Sequence, residues 1–189
     1  MMEREHSGGF VGVLLPKAFY AEFRTLNIDL QQIAPSLRVR DPAIAHISLF
    51  YLNSHNNGEV EQAVSEYLYM LEGKWVVVRG MGVFRQENQP KVLYLPVSYP
   101  WRLVEFNRLL RQVAYPPIHP NNSYSFSPHI TVSRLNSAAR NALPNKREEI
   151  EERMNQFYCT FPLSEVAIFQ KSPQSPFMFE DPKVFKIAA

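Results

Sequence analysis

The chain has 189 residues, 46% of them apolar, and a formal charge of +2. That suffices for one sizeable core, or for two small lobes sharing one; the mild positive charge admits an anionic ligand but does not indicate a broad DNA-coating surface. A lone cysteine, Cys159, excludes an intrachain disulfide and a cysteine metal cluster, and fits a reducing compartment.

In chain order, "GGFVGVLLP" (8–16) reads as a buried strand stopped by Pro16, and "KAFYAEFRTLN" (17–27) as a helix with Phe19, Phe23 and Leu26 on one side. "IDLQQIAP" adds a turn or two before Pro35. Residues 37–53 read as an extended segment broken at Asp41-Pro42 and then a strand. "NNGEVEQAVSEYLYMLEG" (56–73) is a helix opened by Asn57, striped by Val60, Val64, Tyr67, Leu68 and Leu71, and closed by Gly73. Residues 74–84 and 91–98 read as two strands joined by a polar loop, 85–90, with Pro96 placing the second at a sheet edge. "WRLVEFNRLLRQVA" (101–114) is an amphipathic helix, 124–135 a strand, and 144–157 a charged helix with Pro144 in its first turn. Strands at 158–172 and 183–188, joined by a proline-rich loop at 173–182, close the chain.

The second half repeats the order of the first, and no linker separates independent domains. The expected fold is α+β. Residues 1–189 form a single unit of two pseudo-symmetric lobes, whose antiparallel sheets face a central cleft with helices outside. The N-terminal "MMEREHSGGFVGVLLP" has acidic residues and only a short apolar run, which predicts no signal peptide. No apolar stretch approaches the roughly 20 residues of a membrane span. A cytoplasmic monomer is expected.

Two segments carry the chemistry. "AHISLF" (45–50) places His46 and Ser48 two apart, and "PHITVSR" (128–134) places His129 and Thr131 at the same spacing. Residues i and i+2 of a strand share a face. His46, Ser48 and Phe50 therefore line one face, His129, Thr131 and Ser133 another, while Ile47, Leu49, Ile130 and Val132 turn to the core. If a pseudo-two-fold relates the halves, two imidazoles and two hydroxyls converge. Metal-free phosphoryl transfer uses such a set. One imidazole takes a proton, the other gives one, and the hydroxyls donate to non-bridging oxygens as charge builds there. An unperturbed pKa of about 6.5 suits histidine to both roles.

"HISL" and "HITV" resemble the doubled His-x-Ser/Thr-x pattern of the 2H phosphoesterase superfamily. "FVGVLLP", "GMGVFRQENQPKVLYLPV", "FSPHITVSR" and "VAIFQKS" are similar to segments of its 2′-5′ RNA ligase-like branch. The resemblance covers nearly the whole chain. It implies a metal-independent, cofactor-free enzyme acting on 2′,3′-cyclic phosphates or 2′-5′ links of RNA or nucleotides. His46 and His129 would be the catalytic residues and Ser48 and Thr131 the phosphate ligands. For a cyclic phosphate, His129 would activate water and His46 protonate the 3′ oxygen, leaving a 2′-phosphate; the two roles are exchangeable. The same site could run 2′-5′ ligation in reverse or cleave 2′-5′ oligoadenylates. A non-catalytic RNA-end binding module is the alternative from another class.

Of the remaining residues, Phe50 is a candidate for base stacking, and Phe177 and Phe179 for a lid. Arg134 faces away from Thr131 on a regular strand, so a ligand contact there needs a bulge. Tyr124 and Phe126 read as core, His6, His55 and His119 as tail or loop residues, and Arg79, Arg85 and Lys91 as solvated charge. Loops 85–90, 116–123 and 172–182 would set specificity. There is no GxxxxGK loop, HExxH pair or G-x-S-x-G elbow.

Overall fold

The computed structural model describes residues 9–52, 57–98, 101–114, 126–172 and 175–188, with the side chains of 57, 171, 172 and 175–179 outside the description. Within these the order is β1 (Gly9–Leu14), α1 (Lys17–Ile33), β2 (His46–Leu52), α2 (Asn57–Tyr67), β3 (Trp75–Arg79), β4 (Gly82–Gln86), β5 (Gln89–Ser98), α3 (Trp101–Ala114), β6 (His129–Arg134), α4 (Ser137–Asn155), β7 (Tyr158–Pro162), β8 (Glu165–Ser172), β9 (Ser175–Phe179) and β10 (Lys183–Lys186). The strands follow the path β10-β8-β1-β2-β6-β5-β3-β7, with β4 beside β5 and β9 beside β8. The fold is the expected α+β arrangement: a curled antiparallel sheet in two pseudo-symmetric lobes, with helices outside. The lobes join where Ile47 of β2 lies opposite Ile130 of β6.

The helices tie the halves together by crossing over. Phe19, Phe23, Leu26 and Leu30 recur along one side of α1 and are buried. Phe19 meets the ring edges of Phe157 and Phe161, so α1 from the first half covers the second lobe. Asp29 of α1 pairs with Arg153 of α4 at 2.7 Å. From the second half, α3 lies behind β2, where the buried Asn107 amide donates to the carbonyl of Leu49. Strand β2 is thus braced from behind by a helix of the opposite half. No helix among the described residues is long and apolar enough to cross a membrane.

Several boundaries differ from expectation for local reasons. The end of α1 is not among them: Leu30 extends its buried stripe, so the helix gains the expected turns, runs on to Ile33 and stops before Pro35. The second helix is α-helical only to Tyr67 and closes in a 3-10 turn, Leu68–Leu71, before Gly73 at φ +62°. Segment 74–84 breaks at Gly80, φ +81°, into β3 and β4. Loop 85–90 is mostly strand: Gln86 pairs with Gln89, and Glu87 and Asn88 at φ 52° and 62° make a tight hairpin turn. Pro96 lies inside the sheet. On one side β5 pairs with β6, and on the other its partner changes from β4, ending at Tyr94, to β3, beginning at Val97. Pro96 falls in that gap, where a missing N–H costs no ladder bond.

The last helix begins at Ser137, capped by Asn136, whose side chain accepts from the Ala139 N–H at 2.8 Å, so Pro144 is interior. Segment 158–172 divides into β7 and β8, and the proline-rich stretch contains β9. Strand β6 starts at His129. Tyr124 lies outside the described residues, and Phe126 packs half-buried against the core.

Candidate active site

Each motif strand carries the same irregularity. In β2, Gly12 pairs with Ser48 and Val11 with Phe50, leaving Leu49 as an extra residue. In β6, Tyr94 pairs with Thr131 and Leu93 with Ser133, leaving Val132 extra. A bulge of this kind reverses the facing of everything after it. Before it, His46 and Ser48 in one strand, and His129 and Thr131 in the other, are half-buried on the cleft side, with Ile47, Leu49, Ile130 and Val132 in the core. After it, Phe50 turns into the core at 5% exposure, which removes it as a stacking surface. Ser133, at the equivalent place, is buried and donates to the carbonyl of Arg38 at 2.9 Å. Arg134 and Tyr51 return to the cleft side and are exposed. The bulge that a ligand role for Arg134 needs is therefore present.

The imidazoles are held alike. His46 Nδ1 lies 2.9 Å from the carbonyl of Ile44, and His129 Nδ1 lies 2.8 Å from that of Ser127. A carbonyl can only accept, so each Nδ1 carries the proton and each Nε2 keeps its lone pair. Aromatic walls enclose both rings. Phe10 stacks on His46 with centroids 4.4 Å apart, and Phe169 stacks behind Phe10. Phe84 and Tyr94 stack on each other and present edges to His129 at 4.7 and 5.2 Å. Burial pushes both imidazoles below their ordinary pKa. His46 falls to about 4, because the positive charges of Arg40, His129 and Arg134 add to desolvation and outweigh the Ile44 hydrogen bond. For His129 desolvation dominates.

Arg40 is a cleft residue that no motif signals. Val39 bridges Ser133 and the Arg40 N–H donates to the carbonyl of Val132, so residues 38–40 run beside β6. Arg40 Nε is buried without a hydrogen-bond partner. Burial and Arg134 lower its pKa, partly offset by Tyr51. Neither guanidinium forms an ion pair among the described residues, and neither the Ser48 nor the Thr131 hydroxyl has a protein partner there. Two cations, two hydroxyl donors and two imidazole lone pairs thus face one cleft, a set that accommodates a phosphate.

Other candidates lie elsewhere. The side chains of Phe177 and Phe179 are outside the description, though their backbone forms β9. His6, His55, His119 and loop 116–123 also lie outside the described residues. Arg85 is exposed and donates to the carbonyl of Asn88.

Gly82 sets the wall beside His129. A Cβ there would sit 2.1 Å from Tyr94 Cζ, because the tyrosine ring lies over the glycine. Gly82→Ala is expected to displace Tyr94, to raise the titration of His129 as its burial decreases, and to cost about tenfold in turnover through misplacement. NMR titration of the His129 Cε1 proton, read beside turnover, checks this; an unmoved titration would mean that Tyr94 does not set the environment of His129.

A family model described as the 2′-5′ RNA ligase superfamily matches residues 16–173. No curated protein matches the chain. Among solved structures, TT0787 of Thermus thermophilus is similar with a TM-score of 0.60 and 18% identity, over 95% of this chain and 94% of that one. LigT of E. coli, complexed with ATP, gives 0.58 and 19% over 97% and 99%. The ns2 PDE domain of MHV gives 0.55 and 17% over 96% and 99%. At these identities the likeness is one of fold.

Proposed function

The chain belongs to the 2′-5′ RNA ligase superfamily, and from that premise we propose that it is a metal-independent phosphoesterase opening 2′,3′-cyclic phosphates of RNA ends or nucleotides. The observation that carries the reading is the matched pair of imidazoles, each with Nδ1 tied to the carbonyl two residues back and Nε2 left free. Similar LigT structures complexed with 3′-AMP and with phosphate support a nucleotide phosphate as the ligand.

In this reading Ser48, Thr131, Arg40 and Arg134 hold the non-bridging oxygens, and the pentavalent charge is met by donors already in place. His129 takes a proton from water as its oxygen attacks phosphorus. The bond to the 3′ oxygen breaks, and His46 protonates that oxygen, leaving a 2′-phosphate. His46 in the free protein is neutral at pH 7, so its donor form arises only with the anion bound, when the phosphate offsets the cations around it. The free protein's own field favours the opposite assignment, with His46 as acceptor. The residues also fit 2′-5′ ligation, in which a 5′ hydroxyl replaces water as the nucleophile on the cyclic phosphate: the bond to the 3′ oxygen breaks, that oxygen takes the proton, and the phosphate bridges the 2′ and 5′ oxygens.

Hydrolysis of a 2′,3′-cyclic nucleotide in excess chelator, with the product's phosphate position resolved, tests the proposal. A single 2′-phosphate isomer is the expected product. A chelator-sensitive reaction would overturn the metal-free mechanism, and mixed isomers would overturn the assignment of one leaving oxygen. Absence of turnover on mononucleotides, cyclic-ended RNA and 2′-5′ oligoadenylates, with binding retained, would leave the non-catalytic RNA-end module.

A further inference from the structure

The cleft face of the second lobe continues well past the histidines. Partners across an antiparallel pair point to the same side, so the face can be followed by register. Pro96 pairs with His129, and Tyr94 with Thr131. Ser98, on the same side of β5, pairs with Val77 of β3. Trp75, Val77 and Arg79 then pair with Pro162, Thr160 and Tyr158 of the edge strand β7. The opposite face carries Val76, Val78 and Phe161 into the core. Trp75 and Tyr158 are 58% and 59% exposed. Arg79 lies directly opposite Tyr158, four residues along β3 from Trp75, exposed and with no ion pair among the described residues. Three strand spacings separate β6 from β7, about 14 Å of surface, more than one nucleotide occupies.

The matching surface of the first lobe is different. There the cleft side runs through Gly12 and Ala167 to Val184, with Glu165 beside Lys186. Among the described residues it presents no ring as exposed as Trp75 and Tyr158, and Glu165 offsets Lys186.

We infer that the β3–β7 face, with Trp75, Arg79 and Tyr158, is an extended subsite for the single strand of an RNA whose terminal phosphate occupies the histidine cleft. This rests on the phosphoesterase reading above and adds the length of the substrate. Exposed rings beside an unpaired guanidinium, on a surface continuous with a phosphate site, suit stacked bases and a passing phosphate whatever the base sequence. A peptide would more readily use the backbone edge of β7.

The test compares kcat/KM for 2′,3′-cyclic-phosphate-ended oligouridylates, from the mononucleotide to about six nucleotides, in the parent protein, Trp75→Ala, Trp75→Phe, Tyr158→Ala and Arg79→Gln. The parent is expected to gain with length. Either alanine variant should lose roughly tenfold of that gain, and Trp75→Phe should keep most of it. In the Arg79→Gln protein, the length advantage should become less sensitive to salt. The chain holds only two tryptophans, so quenching in a Trp101→Phe background reports Trp75 directly. A parent that turns over the mononucleotide as well as the longer strands, with Trp75 unquenched, would overturn the subsite while leaving the phosphoesterase reading intact. A parent that binds the oligonucleotide and quenches Trp75 but turns over none of them would do the reverse.

Discussion

Replacing His46 or His129 with alanine should lower turnover of a 2′,3′-cyclic nucleotide by roughly 10²–10⁴-fold, the usual range for a positioned proton donor or acceptor. Each ring is fixed by one hydrogen bond to the carbonyl two residues before it and by aromatic walls, so alanine removes the proton carrier and leaves the opposite ring in place. The double variant should be only slightly worse than either single one, because two groups serving one phosphoryl transfer act as a unit. Folding must be read separately. The His46 ring packs on Phe10, and losing that contact is expected to cost about 1–3 kcal/mol, which thermal unfolding will show. His46→Gln and His129→Gln preserve bulk and polarity without a useful pKa. They should be as inactive as the alanine variants but better folded. If either glutamine variant kept activity within a few-fold of the parent, the two-histidine mechanism would be wrong; if phosphate binding survived in an inactive parent, the binding-module reading would stand.

What could be read in advance follows from local periodicity. The two-residue spacing of His46 and Ser48, and of His129 and Thr131, holds because each pair precedes its bulge, where a strand still alternates. Phe50 and Arg134 follow the bulges, and both change sides. The only hint is a broken alternation, Leu49-Phe50, which a regular strand buried on both faces would equally produce. Arg40 was illegible because long-range pairing with β6 brings it to the cleft. The hairpin between β4 and β5 is legible, but the tightness of its turn is not, because the turn holds Glu87 and Asn88 at positive φ, where glycine is the usual signal. Phe10, Phe84 and Tyr94 looked like ordinary strand aromatics, and only the register places them against the imidazoles. The start of α4 was lost to Pro144, although Asn136 supplied a cap.

Arg40→Met should weaken binding of inorganic phosphate by about tenfold to a hundredfold, the loss expected for one charge-assisted hydrogen bond. The same change should not harm the fold, because it exchanges a half-buried guanidinium with an unpartnered Nε for an apolar chain of similar length. The sharper readout is the titration of His46. In the free parent its imidazolium is disfavoured first by burial and then by Arg40, ahead of His129 and Arg134, giving a pKa of about 4. Removing the Arg40 charge takes away one lowering influence, so the free variant should titrate higher, with burial still holding it below the ordinary value. Stability follows the same sign. Unfolded His46 takes up its proton near the ordinary pKa, so the parent loses up to about 3 kcal/mol as pH falls from about 6.5 to 4, and the variant loses less. Phosphate bound to the parent should raise the His46 titration by offsetting the positive charges. That rise is what lets His46 donate to a leaving oxygen near neutrality. A titration that stayed near 4 with phosphate bound would keep His46 a base throughout the cycle, and the roles would exchange: His46 would take the proton from water, and His129, whose lowering is dominated by burial, would protonate the leaving group.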